Sequence, residues 1–240
     1  AANDKLTALS IQKDAFLSQI SHELRTPMTS IRSFSDILRE GTMTEEEQER
    51  YASIIHDEAV RLTRLLDDLL DLSVLENGQV ELREQTGELS DLLDRAVRAA
   101  GSHDGVLDVQ RDPQQERLQL VTDLDRLTQV FINLIANARK YCDAENPKLQ
   151  IEVHQEKDNY LVDFIDNGSG IAPENQDLIF EKFSRVADGS KAGGAGLGLA
   201  ISREVMQRLG GDVSYLSRDG GAAFRVRVPQ GTAAAAFEET

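Results

Sequence analysis

A chain of 240 residues, 40% hydrophobic and 28% charged, is long enough for one or two domains with cores of their own. Its formal net charge of -16 provides no basic face for nucleic acid or for an anionic membrane surface. The single cysteine, Cys142, excludes an internal disulfide, fits a reducing cytoplasm and reads as a packing residue.

No apolar run approaches the roughly 20 residues needed to cross a bilayer. The opening Ala1-Ala2-Asn3-Asp4-Lys5 lacks the apolar centre of a signal peptide. The missing initiator Met and the immediate helical pattern suggest a fragment, with any sensor or membrane anchor lying upstream. The fragment itself is expected to make no direct membrane contact.

Residues 5 to about 39 predict one long helix. Leu6, Leu9, Phe16, Ile20, Leu24, Ile31, Phe34 and Leu38 recur mostly at spacings of three, four and seven. Pro27 should bend it, since proline lacks the donor and crowds the preceding turn. Gly41 stops it, and Thr44-Glu45-Glu46-Glu47 is a capping box that starts a second helix. In that helix Ile55, Leu62 and Leu69, with Tyr51, Leu65 and Leu72, make an apolar seam interrupted by Glu58. Ile54, Leu66 and Leu70 widen it. Such a hairpin cannot bury its seams alone. A twofold dimer forming a four-helix bundle, or packing on the rest of the chain, would cover them, and the coiled-coil character favours the dimer.

Asn77-Gly78 marks a turn, and the pattern then changes. A helix is expected over 88–100, short strands over 106–110 and 118–121, and a helix to about Tyr141 capped by Thr122 or Asp123. Strands follow over 149–154 and 161–165, then a helix over 196–209. A hairpin over 212–217 and 222–228 closes around Asp219-Gly220-Gly221. This mixture implies a two-layer α/β sandwich. The domains expected are 1–76 for the helical hairpin, 77–82 for a linker, 83–230 for the sandwich and 231–240 for a flexible tail.

Four segments carry chemistry. In Ser21-His22-Glu23-Leu24-Arg25-Thr26-Pro27, helical phase turns His22 away from the seam. Imidazole can be a nucleophile, and Glu23 can take its proton. Thr26 lies one turn on and can position a water. His56, His103 and His154 lack such neighbours and read as surface. Next, Asn133 and Asn137 stand at i and i+4 on one helix face, with Lys140-Tyr141 beyond them. Two amide oxygens suit a Mg²⁺ that keeps waters and takes phosphate oxygens. Third, Asp166-Asn167-Gly168-Ser169-Gly170 ends an apolar strand, where a carboxylate can accept from an exocyclic amine such as that of adenine. Last, Gly193-Gly194-Ala195-Gly196-Leu197-Gly198-Leu199 runs into a helix N-terminus, a phosphate cradle. It follows Phe180-Glu-Lys-Phe183-Ser-Arg185 and a small polar segment that looks like a lid.

In this order the motifs resemble the sensor histidine kinases of two-component signalling, over residues 10 to 228. The resemblance implies a dimerisation and phosphotransfer hairpin followed by a Bergerat-type ATP-binding domain. It makes His22 the phosphoacceptor, through Nε2, Glu23 the general base, and Thr26 a positioner of water for dephosphorylation of the partner. Asn133 and Asn137 match the Mg²⁺-contacting asparagines, with Asn137 the firmer, and Lys140 a phosphate contact. Asp166 matches the adenine-reading aspartate. Tyr141, Gly168, Gly170, Ile171, Arg185, Lys191, Gly194, Gly196, Leu197, Gly198 and Leu199 are expected around ATP, with Phe180 and Phe183 anchoring the lid. Ala195 stands where many relatives carry Thr, and the lid from Ser184 to Gly194 is short. The implied activity is cytoplasmic autophosphorylation and transfer to an aspartate of a response-regulator receiver domain by a homodimer. An ATPase that drives conformational change and a nucleotide-binding scaffold that does not turn over remain alternatives.

Overall fold

The computed structural model describes residues 2–41, 43–77, 81–101, 107–184, 196–218 and 220–231. Helix α1 spans Ala2–Glu40 and helix α2 Glu45–Glu76. Both members of the expected capping box form: Glu47 N–H donates to Thr44 Oγ1 at 3.2 Å, and Thr44 N–H donates to Glu47 Oε2 at 3.0 Å. Phe34 stacks on Tyr51 with ring centroids 5.4 Å apart, so the two helices run back to back as a hairpin. Helix α1 continues through Pro27, which is buried. Proline has no N–H to give the carbonyl one turn earlier, that of Glu23.

The hairpin seam is only half covered. Ile20, Leu24, Ile31, Phe34, Leu38, Ile55, Leu62 and Leu69 are all half-buried, and Leu66, Leu70 and Val74 are exposed. Leu65, Leu72 and Leu75 behave differently: they are 5%, 2% and 1% exposed and join the core of the following unit. Part of α2 therefore packs on its own chain, while the stripe beside it stays open.

The α/β unit begins with strand β1, Gln85–Glu88, and helix α3, Leu89–Ala100. Strands β2, Asp108–Arg111, and β3, Gln119–Thr122, lead to helix α4, Leu124–Tyr141. Strands β4, Lys148–Glu156, and β5, Asn159–Asp166, precede helix α5, Gly198–Arg208, and strands β6, Asp212–Tyr215, and β7, Ala223–Pro229. The five-stranded sheet runs β2-β4-β5-β7-β6, with β2 parallel to β4 and the other pairs antiparallel. Strand β1 was not expected; it pairs with β3 in a separate ribbon. Helix α5 starts at Gly198 rather than Gly196.

Alternation decides which face of the sheet is covered. Leu149, Ile151 and Val153 on β4, Tyr160, Val162 and Phe164 on β5, and Phe224, Val226 and Val228 on β7 are buried, and Phe131 of α4 meets Phe164 at 5.5 Å between centroids. Helices on one face of a mixed sheet give the two-layer sandwich. Asp123 rather than Thr122 caps α4, accepting from Arg126 N–H at 3.1 Å.

Candidate active site

Helix α4 forms one wall of a cavity of about 660 Å³. Leu127, Phe131, Leu134, Ile135 and Ala138 bury the helix in the core. The opposite phase presents Asn133 and Asn137, one turn apart, with Lys140 and Tyr141 at the rim. Lys140 Nζ lies 4.6 Å from the Tyr141 ring centroid. Strand β5 delivers Asp166 to the opposite wall, and the first turn of α5 delivers Gly198 and Leu199, with Gly196 and Leu197 before it. Gly170 and Ile171 complete the expected set that lines the cavity. A volume of several hundred Å³ with few polar groups among apolar ones fits a nucleotide-sized ligand.

The first glycine loop is held by a network with little sequence signature. Asp166 Oδ1 accepts from Gly168 N–H and from Ala222 N–H, each at 2.9 Å. Oδ2 has no hydrogen-bond partner among the described residues, so it is the oxygen available to an amine on a ligand. Asn167 Oδ1 accepts from Lys148 N–H at 2.8 Å and its Nδ2 donates to Asn146 O at 3.0 Å. Asp143 Oδ1 accepts from Ser169 N–H at 2.7 Å, and that bond holds the Asp143 carboxyl below its ordinary range. Gly221, at φ 78°, packs so closely on the Asp166 carbonyl that a Cβ there would overlap it.

At the other end, Asn133 Nδ2 donates to Ser202 Oγ at 2.8 Å, and Ser202 is buried. A Cβ on Gly198 would overlap Asn133 Oδ1, so the amide oxygen lies against the N-terminus of α5. Asn133 and Asn137 supply neutral oxygens and no carboxylate, a donor set that suits Mg²⁺ arriving with phosphate rather than alone.

Phe180 is buried, lies 6.4 Å from Phe224 edge to face, and has the Arg203 guanidinium 3.9 Å above it. Phe183, at φ 61°, reaches the hairpin, where its ring lies 5.5 Å from that of Phe16. Gly168, Phe180 and Phe183 support the cavity without lining it. Arg185, Lys191 and Gly194 lie outside the described residues.

His22 is exposed on α1, as its phase predicts, and does not line the cavity. Thr26 Oγ1 donates to His22 O at 3.3 Å and so shares its face. Glu23 turns inward instead. It is 9% exposed, with Oε2 3.9 Å from Arg61 Nη2, and Arg61 Nη1 lies 3.6 Å from Glu58 Oε2. His56 and His154 are exposed, and His103 lies outside the described residues. Glu152, His154 and Asp163 approach one another on the sheet, but Arg225 donates to both Asp163 oxygens at 2.8 and 2.7 Å, so that carboxylate is already committed to a cation of the chain itself. Sequence reasoning missed Asp68 of α2, which also lines the cavity.

An exposed histidine on a helical hairpin, joined to a nucleotide-sized cleft built from paired asparagines and glycine loops, defines a phosphoacceptor unit coupled to an ATPase-like unit. Residues 12–78 match the His Kinase A (phospho-acceptor) domain family. Residues 122–232 match the Histidine kinase-, DNA gyrase B-, and HSP90-like ATPase family. The chain belongs to the sensor histidine kinases. It is 34% identical over 224 residues to Sensor protein KdpD of Escherichia coli (strain K12), covering 92% of this chain and 25% of that protein. It is 31% identical over 226 residues to Sensor protein kinase WalK of Staphylococcus aureus, covering 91% and 54%. The chain thus spans about a quarter to a half of these curated relatives. Among solved structures, histidine kinase ThkA in complex with response regulator protein TrrA superposes with a TM-score of 0.71 at 25% identity, over 94% of this chain and 64% of that one.

Proposed function

We propose that this chain is the catalytic part of an ATP-dependent protein-histidine kinase that phosphorylates His22 and passes the phosphoryl group to an aspartate of a response regulator. The observation that carries the reading is the cavity. It gathers Asn133, Asn137 and Lys140 of α4, Asp166 and Gly170 of the first glycine loop, and Gly196 to Leu199 of the second, three segments far apart in the chain, around one space. A likeness to a kinase solved with its response regulator supports the second step.

Asp166 Oδ2 accepts the exocyclic amine of adenine, because its other oxygen is committed to Gly168 and Ala222. The phosphates extend toward Lys140 and the first N–H groups of α5, which carry the positive end of the helix dipole. Asn133 and Asn137 would hold Mg²⁺, which would supply charge neutralisation to the phosphates. A ring nitrogen of His22 attacks the γ-phosphorus in line. The P–N bond forms as the bond to the bridging β,γ-oxygen breaks, and ADP leaves with that electron pair. The proton goes from the other ring nitrogen to Glu23. Since Glu23 points toward Arg61 here, accepting it requires a rotamer change or a bridging water.

His22 is not at the cavity, so transfer needs the catalytic unit to move on the linker that follows α2, or a cavity on a second copy. A second copy also covers the half-buried seam and the exposed Leu66, Leu70 and Val74, completing a four-helix bundle. Thr26, on the His22 face, would position water for dephosphorylation of the regulator. No helix among the described residues is long and apolar enough to cross a membrane; a kinase that draws on ATP would work in the cytoplasm.

With γ-radiolabelled ATP, His22→Gln should lose acid-labile label and still bind nucleotide. Persistent label in that variant would sink the assignment. Asn137→Ala should lose affinity for Mg-ATP, and unchanged binding would count against the metal site. Phosphate release without a phospho-enzyme would favour the ATPase reading.

A further inference from the structure

Helix α2 has a third face, used neither by the hairpin seam nor by the exposed stripe. Asp68, Asp71, Leu72 and Leu75 share it. Asp71 Oδ1 accepts from Arg126 Nη1 at 3.2 Å and Asp71 Oδ2 from Gln129 Nε2 at 2.9 Å, both on α4. Leu75 O accepts from Arg208 Nη2 at 2.6 Å, on α5. These contacts dock the hairpin on the catalytic unit and bring Asp68 into the wall of the cavity.

Two registers place Asp68 at the phosphate end. On α4, Asp71 faces Gln129, and one turn further toward the cavity stands Asn133. On α2 one turn in the same direction reaches Asp68. On α5, the Arg208 guanidinium reaches the Leu75 carbonyl; about two turns back along α2 and three back along α5, Asp68 and Gly198 both line the cavity.

We propose that Asp68 makes the docked arrangement selective between nucleotides: its carboxylate occupies the side of the cavity where a terminal phosphoryl would come, so the docked form accepts a nucleoside diphosphate and disfavours the triphosphate. This rests on reading the cavity as a nucleotide site. A carboxylate a few ångströms from an added phosphate charge, at the effective dielectric of a protein surface, costs about ten-fold or more in affinity. Asp71 and Asp67 make the surroundings negative, and burial together with those two carboxylates pushes the Asp68 carboxyl up to about 6, with only Arg64 opposing; at neutral pH Asp68 is still mostly ionised and repels an added phosphate charge. By linkage, a triphosphate that binds the undocked form better also drives undocking. The catalytic unit is then released toward a histidine when ATP is loaded, and can return when ADP remains.

The test is calorimetric titration of the whole chain with Mg-ADP and with Mg-AMPPNP. Asp68→Asn, nearly isosteric, should tighten AMPPNP about ten-fold and leave ADP within about two-fold. In a background already undocked by Asp71→Asn, the same change should have little effect, which a general structural role would not produce. Equal shifts for both nucleotides, or none, would overturn the proposal alone. Weaker AMPPNP binding would overturn it in favour of Asp68 as a metal ligand. A native chain that binds neither nucleotide would remove the cavity reading and this proposal together.

Discussion

Replacing Asp71 by Asn should open the junction between the hairpin and the catalytic unit. Asp71 holds Arg126 at 3.2 Å and Gln129 at 2.9 Å, and the Asp71 and Arg126 side chains are 31% and 25% exposed. A charge-assisted hydrogen bond contributes roughly 1.5–3 kcal/mol when well shielded. Partial solvent access reduces that, and Asn retains one acceptor for Gln129 or Arg126. A loss of about 1–2 kcal/mol remains, a five- to thirty-fold fall in the docked-to-undocked ratio. Leu72 and Leu75 would still favour contact, so the fold of each unit should survive. A donor–acceptor pair at the exposed Ser53 and Glu174 would report the separation. The expected result is a second, longer distance in Asp71→Asn and in Arg126→Ala, with the double variant little worse than either single. An unchanged distribution in both singles would show that the pair holds nothing together.

Ser202→Ala frees the Asn133 amide that Ser202 Oγ fixes at 2.8 Å, so Mg-ATP affinity should fall about five-fold, for roughly 1 kcal/mol, and the loss should shrink as Mg²⁺ is raised. Glu116 is 1% exposed and accepts from Arg111 at 2.6 to 3.1 Å. Arg111→Met leaves a buried lone carboxylate, and urea unfolding should report a loss of about 3–5 kcal/mol. Docking should weaken with pH. The Asp68 carboxyl is raised from 3.8 to about 6 where it is buried, so its protonated form favours the docked state. Its favourable contribution is full below 3.8 and lost as pH rises through 6. The distance pair should lengthen across that window in the native chain and not in Asp68→Asn, with Asp67, Asp71, Arg64 and Arg126 as the charges in view.

Much of the site was legible because its residues sit in phase with regular elements. Asn133 and Asn137 fall one turn apart on a helix whose apolar face is plain, and His22 lies off the apolar phase of α1. Asp143 was not legible. It is an isolated acid in a connection, and its bond to Ser169 joins residues 26 apart in sequence. Gly221 looked like turn chemistry alone, whereas it also packs against the Asp166 carbonyl. Glu23 was misleading in detail: adjacency to His22 suggested a shared face, but one residue is about 100° of helix, enough to turn its carboxylate toward Arg61. Strand β1, Gln-Thr-Gly-Glu, has no alternation of apolar residues, and only its partner β3 makes it a strand.

Helix α2 shows what periodicity leaves undecided. Leu65, Leu69 and Leu72 read as one seam, yet Leu65 and Leu72 go to the catalytic unit, Leu69 stays half-buried in the hairpin, and Leu66, Leu70 and Val74 stay open. Apolar spacing tells how much of a helix wants cover, and not which surface supplies it. The polar residues break the tie. Asp68 and Asp71 interrupt the face that meets α4 and α5, and they suit a partner offering a guanidinium and an amide, which Arg126 and Gln129 provide. A wholly apolar face there would hold like a domain core. One crossed by a partly solvated ion pair can open for a modest cost. The proposed function asks His22 to face a nucleotide at one moment and a regulator at another; such a reversible junction would serve it, and the two aspartates are what distinguish it from the open stripe of the hairpin.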